Sequence, residues 1–138
     1  MKNLSDAFLS SSLRATLSSN GIKVYVISRR ESADLGKART VFGFADRTQK
    51  NIFIIGEDVN DAGIDERCLH VLLWHEATHI IENTLDERRC DENAKYHVSE
   101  SAYIRMVKKS NAFIERRRAE LGITTSRSKK YEHRNSAI

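Results

Sequence analysis

The sequence predicts an α+β fold, with a small antiparallel sheet packed on one central helix and on a long helix that follows it. Three observations carry this reading. Short β-branched runs at 22–27, 41–45 and 51–55 lie in the first half of the chain, between polar or glycine-containing breaks. An apolar helical run, Val71-Leu72-Leu73-Trp74, leads into His75-Glu76-Ala77-Thr78-His79 and continues through Ile80-Ile81. After Asn83-Thr84, a charged stretch with Asp86 as cap runs towards Leu121 and stops at Gly122.

The chain has 138 residues, enough for one domain with a modest core, expected over 1–122, followed by a basic, flexible tail over 123–138. Its 40% hydrophobic and 30% charged composition is that of a globular protein. No stretch approaches the roughly 20 apolar residues of a membrane helix, and the first residues lack the apolar core of a signal peptide. A cytoplasmic protein without membrane partners is therefore expected. Cys68 and Cys90 are too few for a disulfide scaffold and read as intracellular thiols. The net charge of +4 is concentrated in Arg116-Arg117-Arg118 and Arg127-Ser128-Lys129-Lys130, which reads first as a solvated face or tail and second as a nucleic-acid contact.

Taken in order, residues 4–18 read as a helix with Ser5 as N-cap. Leu4, Phe8 and Ala15 form one stripe, Leu9, Leu13 and Leu17 another, and Asn20-Gly21 ends it. Residues 22–27 form a strand. Residues 29–39 form a loop or a short helix. Residues 41–45 and 51–55 make an antiparallel hairpin about the turn 46–50, with Gly56 as its stop. Gly43 inside a strand marks a bulge, a close backbone approach or relief of crowding, and an open edge there can pair with an extended peptide. Asn60-Asp61-Ala62-Gly63 is a loop, and Asp65 caps the motif helix, which runs to about Glu82. The segment after Asp86 is long for one helix. A kink or restart is expected at His97-Val98-Ser99, with Ser99 able to cap the new start.

On a helix, residues i and i+4 share a face, so His75 and His79 can grip one Zn²⁺ from the same side. Glu76 lies one step round the helix, where it can serve as general base. The plainer alternative is a buried helix that merely carries two histidines. Against it stands the cost of desolvating two rings and a carboxylate without partners. A catalytic zinc needs a third protein ligand and an open position. The later candidates are Glu82, Asp86, Glu87, Cys90, Asp91, Glu92 and His97. Counting symmetrically about the turn near Asn83-Leu85 brings residues near 90 or 91 back to the metal's level. Asp91 is the first choice, with Glu87 second and Glu92 third; Cys90 ranks below these, since thiolates are less usual at a hydrolytic site of this type. His97 is a candidate oxyanion contact at the mouth, and Tyr96 and Tyr103 are candidate phenol donors.

The hairpin, the short acidic loop and the run Val71 to His79 with its acidic sequel resemble the small zincin metallopeptidases of the gluzincin type. They are similar in particular to the compact metallopeptidase-like domains of phage and mobile elements. The resemblance spans about residues 41–100 and implies a minimal zincin-like fold. It also implies His75 and His79 as zinc ligands, Glu76 as catalytic base, and a family glutamate falling on Asp91, three residues before Ala94. Here the chain departs, with Asp where the family has Glu. The function expected is a zinc metallopeptidase acting on a peptide or protein substrate. The alternative is a non-catalytic zinc-binding interaction module whose basic tail contacts nucleic acid.

Overall fold

The computed structural model describes residues 1–120. Its elements are β1 (Lys2–Asn3), a 3-10 turn (Asp6–Phe8), α1 (Ser11–Ser19), β2 (Lys23–Ile27), α2 (Arg29–Asp34), β3 (Gly43–Asp46), β4 (Asn51–Ile55), α3 (Gly56–Asp61), α4 (Glu66–Ile81), α5 (Glu87–His97) and α6 (Glu100–Glu120). The class is α+β, as the sequence predicts. The expected helix stop at Gly122 and the basic tail over 123–138 lie outside the described residues. Among those residues no helix is long and apolar enough to cross a membrane.

The four strands form one sheet in the order β1-β2-β4-β3. The β3–β4 hairpin is antiparallel as expected, with Phe44 opposite Phe53. The sheet as a whole is not: β2 and β4 run parallel, Val24 opposite Ile52 and Ile27 opposite Ile55. The reason lies in the connection. Helix α2 and strand β3 stand between β2 and β4, long enough to return the chain to the same end of the sheet. Strand β3 is thereby left on the outer edge, packed beside α4. Val24, Ile52 and Ile54 face inward onto Leu13, Leu72, Leu73 and Met106, which are wholly buried. On the other face Tyr25, Phe53 and Phe44 stack across three strands at centroid spacings of 5.7 and 5.0 Å.

The expected helix over 4–18 is divided. Ser5 caps only the 3-10 turn, accepting from the Ala7 N–H at 3.2 Å, and Ser10 starts α1 by accepting from the Leu13 N–H at 3.3 Å. Serine hydroxyls compete for backbone donors, so each serine of this region is a place to begin a helix. Leu13 and Leu17 face the core and Gly21 closes the helix at φ 68°. Within 29–39 the chain forms the short α2, opened by a capping box between Ser28 and Glu31.

Strand β3 begins at Gly43 rather than at 41, because the buried Phe42 stands at φ 70° and leaves extended geometry. Its N–H donates to Asp58 at 3.1 Å. A Cβ on Gly43 would lie 2.5 Å from the Phe53 carbonyl oxygen, so the glycine serves a close backbone approach. Helix α3 occupies 56–61, where the sequence suggests a strand stop and the start of a loop. It has no side-chain N-cap and is held by Arg29, whose guanidinium donates to Asp58 at 2.6 Å and Asp61 at 2.7 Å.

Candidate metal centre

Asp65 caps α4 as expected, accepting from the Cys68 N–H at 2.9 Å and pairing with Arg105. From Cys68 to Ile80 every residue of α4 is buried, between the sheet on one side and α5 and α6 on the other. Polar side chains in such a helix must find partners or lose stability. The chain leaves α4 through Asn83 at φ 48° and re-enters a helix at Glu87, with Asp86 accepting from the N–H groups of Arg88 and Arg89. The two helices are tied by Glu82 with Arg89 at 2.8 and 2.6 Å and by Asn93 donating to Thr78 at 2.8 Å. His97 stacks flat on Trp74, ring centroids 3.7 Å apart. Helix α6 restarts after the expected break, with Ser99 accepting from the Ala102 N–H at 3.1 Å.

The motif histidines stand with ring centroids 5.0 Å apart. On each ring Nδ1 is occupied. His75 Nδ1 donates to Asp91 Oδ1 at 2.8 Å, and His79 Nδ1 donates to the Thr84 carbonyl at 2.7 Å. Both Nε2 atoms turn to Glu87, at 2.8 Å from His75 and 3.1 Å from His79. Cys90 is wholly buried, and one donor atom each from His75, His79 and Cys90 all lie within 4.8 Å of one another. This group could hold a metal ion. Two imidazole nitrogens and a sulfur, with a carboxylate beside them, suit a borderline-soft divalent ion such as Zn²⁺. Glu76 is 5% exposed; it senses the charges of His75, His79, Glu87 and Asp91 but makes no hydrogen bond to the described residues.

The electrostatics follow from this crowding. Burial alone depresses a histidine's pKa. Against that pull, hydrogen bonds to Asp91 and Glu87 lift His75 to about 10. Burial likewise opposes the rise of His79, which Cys90, Glu87 and the Thr84 carbonyl carry to about 11. Burial raises Glu87, but its bonds to the two rings outweigh that and hold it down at about 2. Burial pushes Glu76 above the usual carboxylate range, partly offset by the two histidines.

Asp91, expected as third ligand, lies behind His75 instead. Its Oδ1 accepts from Nδ1, the ring nitrogen directed away from Glu87, and its Oδ2 accepts from the Tyr103 hydroxyl at 3.2 Å. The symmetric count about the turn does bring Cys90 to the two rings, but it does not give the side of His75 on which Asp91 stands, nor that the long Glu87 side chain reaches the histidines from the first residue of α5. Asp91, one turn on, passes behind the ring. Glu92 is exposed and pairs with Lys95 at 3.6 Å, away from the histidines. Glu82 is engaged by Arg89, and Asp86 by its own helix start. His97 packs on Trp74, and Tyr96 is 83% exposed, so neither joins the cluster. Tyr103 is a phenol donor, but to Asp91. The Thr84 carbonyl was beyond sequence reasoning, since a main-chain acceptor carries no residue signature. In the basic run, Arg116 donates to the Asp61 carbonyl, Arg117 pairs with Glu120 and Arg118 is buried.

No protein-family model, curated protein or solved structure matches this chain.

Proposed function

We propose that this chain is a zinc-dependent peptidase built on the α4–α5 helical hairpin. One observation carries the reading. Both motif histidines have Nδ1 fixed, by Asp91 and by the Thr84 carbonyl, while both Nε2 atoms converge on the first turn of α5. Tying off one ring nitrogen sets the tautomer and aims the other, as in metal-binding histidines generally. His75 and His79 would hold the ion, with Glu87 and Cys90 as the donors available from α5. Asp91 would orient His75.

When bound, Zn²⁺ supplies Lewis acidity that polarises a peptide carbonyl and makes water more acidic. Glu76 would be the group to accept a proton from the attacking water and return it to the departing amine. Its burial raises its basicity, and the absence of a hydrogen-bond partner among the described residues leaves its carboxylate available. The edge strand β3 packs beside α4, so an extended peptide can add to the sheet there. The side chain of Glu87 is 45% exposed, which makes it the solvent side of the cluster.

Protein purified without a His tag or added metal is expected to contain one zinc per chain by elemental analysis. It should cleave a quenched fluorescent peptide pool, and chelation should stop the cleavage. Absence of zinc would remove the reading; zinc without cleavage would favour its rival. That rival is a closed, non-catalytic zinc module, favoured by the buried Cys90 beside both histidines.

A further inference from the structure

We infer that Cys90, with His75 and His79, forms the permanent hold on the ion, and that Glu87 is a detachable fourth donor. The inference rests on the proposed metal site and assigns roles within it.

The two α5 donors stand three residues apart on one helix face but in opposite surroundings. Cys90 is 0% exposed and packs in the α4–α5 interface. It has a single side-chain torsion, against the three of Glu87, and no exposure to solvent. Two nitrogens and one sulfur on a tetrahedral ion stand about 3.3–3.5 Å apart, given metal–nitrogen and metal–sulfur bonds of about 2.0 and 2.3 Å. The donor atoms of His75, His79 and Cys90 already lie within 4.8 Å of one another, so closing on an ion needs a shift on the order of 1 Å. Glu76, buried and without a hydrogen bond to the described residues, adjoins the same cluster.

Glu87 differs on each count. It is the first residue of α5, its side chain is 45% exposed, and it has three torsions through which to swing into water. Its two oxygens reach both Nε2 atoms, so it covers the pair from the solvent side. Releasing one exposed carboxylate would open one coordination position without disturbing the three buried donors. When the ion binds, the Cys90 S–H bond breaks, the sulfur bonds to the metal and the proton leaves to solvent. Nothing is oxidised or reduced.

Cobalt(II) is the probe. The wild-type chain loaded with one Co²⁺ should show an intense near-ultraviolet sulfur-to-cobalt band, lost in Cys90→Ser and kept in Glu87→Gln. Chelator competition should show Co²⁺ affinity falling by about 100-fold or more in Cys90→Ser and by no more than about 10-fold in Glu87→Gln. X-ray absorption of the wild-type zinc form should show one sulfur at about 2.3 Å, a readout that needs no variant. Stoichiometric cobalt without a sulfur band would overturn the inference and leave the metal site standing. So would equal losses of affinity in the two variants. Failure of the wild-type chain to bind cobalt or zinc would remove the metal site itself, and the inference with it.

Discussion

The carboxylate of Asp91 accepts a hydrogen bond from His75 Nδ1 at 2.8 Å, and its second oxygen accepts one from Tyr103. Such a carboxylate tunes a ligand without touching the ion. Asp91→Ala is therefore expected to weaken zinc binding by about 10–100-fold while leaving one zinc per chain at saturation. Chelator competition measures the loss. Complete failure to bind in a chain with an unchanged far-ultraviolet spectrum would make Asp91 a ligand after all.

Glu76 adjoins the cluster and has no hydrogen-bond partner among the described residues. Glu76→Gln should retain zinc and lower peptide cleavage by about 100- to 10,000-fold, the range of a lost general base. Metal content and turnover are measured on the same preparation. Cleavage at the wild-type rate would exclude the base role.

The raised pKa values of the two histidines give a signed pH dependence. Without metal, His75 at about 10 and His79 at about 11 are protonated at neutral pH and paired with Glu87. Because their folded pKa values lie above the ordinary 6.5, this pairing stabilises the metal-free chain fully below about pH 6.5. The contribution is lost as pH rises through about 10 to 11. Glu87, depressed to about 2, contributes with the opposite sign, and its share is lost as pH falls towards that value. A metal ion must displace a proton from each ring. Apparent zinc affinity should therefore rise with pH from 6 to 8, by roughly 100-fold per unit for the two ring protons and by roughly 1,000-fold per unit where the Cys90 thiol gives up its proton as well. Proton release in weakly buffered calorimetry checks this; affinity independent of pH would contradict it.

Gly43→Ala would set a methyl 2.5 Å from the Phe53 carbonyl oxygen, a backbone atom fixed within the sheet. Overpacking of this kind costs about 1–3 kcal/mol. Urea denaturation should show a lower midpoint with an unchanged slope. A midpoint equal to wild type would mean that the β3–β4 pair can separate freely.

Asp65→Ala removes the α4 cap and the partner of Arg105. The cap alone is worth about 1 kcal/mol. Bonding to Arg105 and to the Cys68 N–H holds the Asp65 carboxyl below its ordinary range. The stability it contributes is present above that range and lost in acid, so wild type and variant should converge as pH falls.

The elements legible in the sequence were those with local causes. Asp65 announces α4, Ser99 the break between α5 and α6, and the alternation about 46–50 the hairpin. What escaped depends on distant partners. Lys2–Asn3 becomes a strand because β2 offers an edge, and α3 forms against Arg29, about thirty residues away, with no cap of its own. The parallel pairing of β2 with β4 is decided by the course of the intervening chain and not by either strand. At the cluster, the motif fixed which two rings share a face. The side of His75 on which Asp91 would stand depended on where α5 begins and how it crosses α4.

All the donors described here, from His75 to Cys90, belong to two successive helices joined by a five-residue turn over 82–86. Gathering them closes only a small ring of chain, so little entropy is spent. If the group holds an ion, capture during synthesis could follow as soon as this hairpin has formed, and would anchor it for α6 to dock.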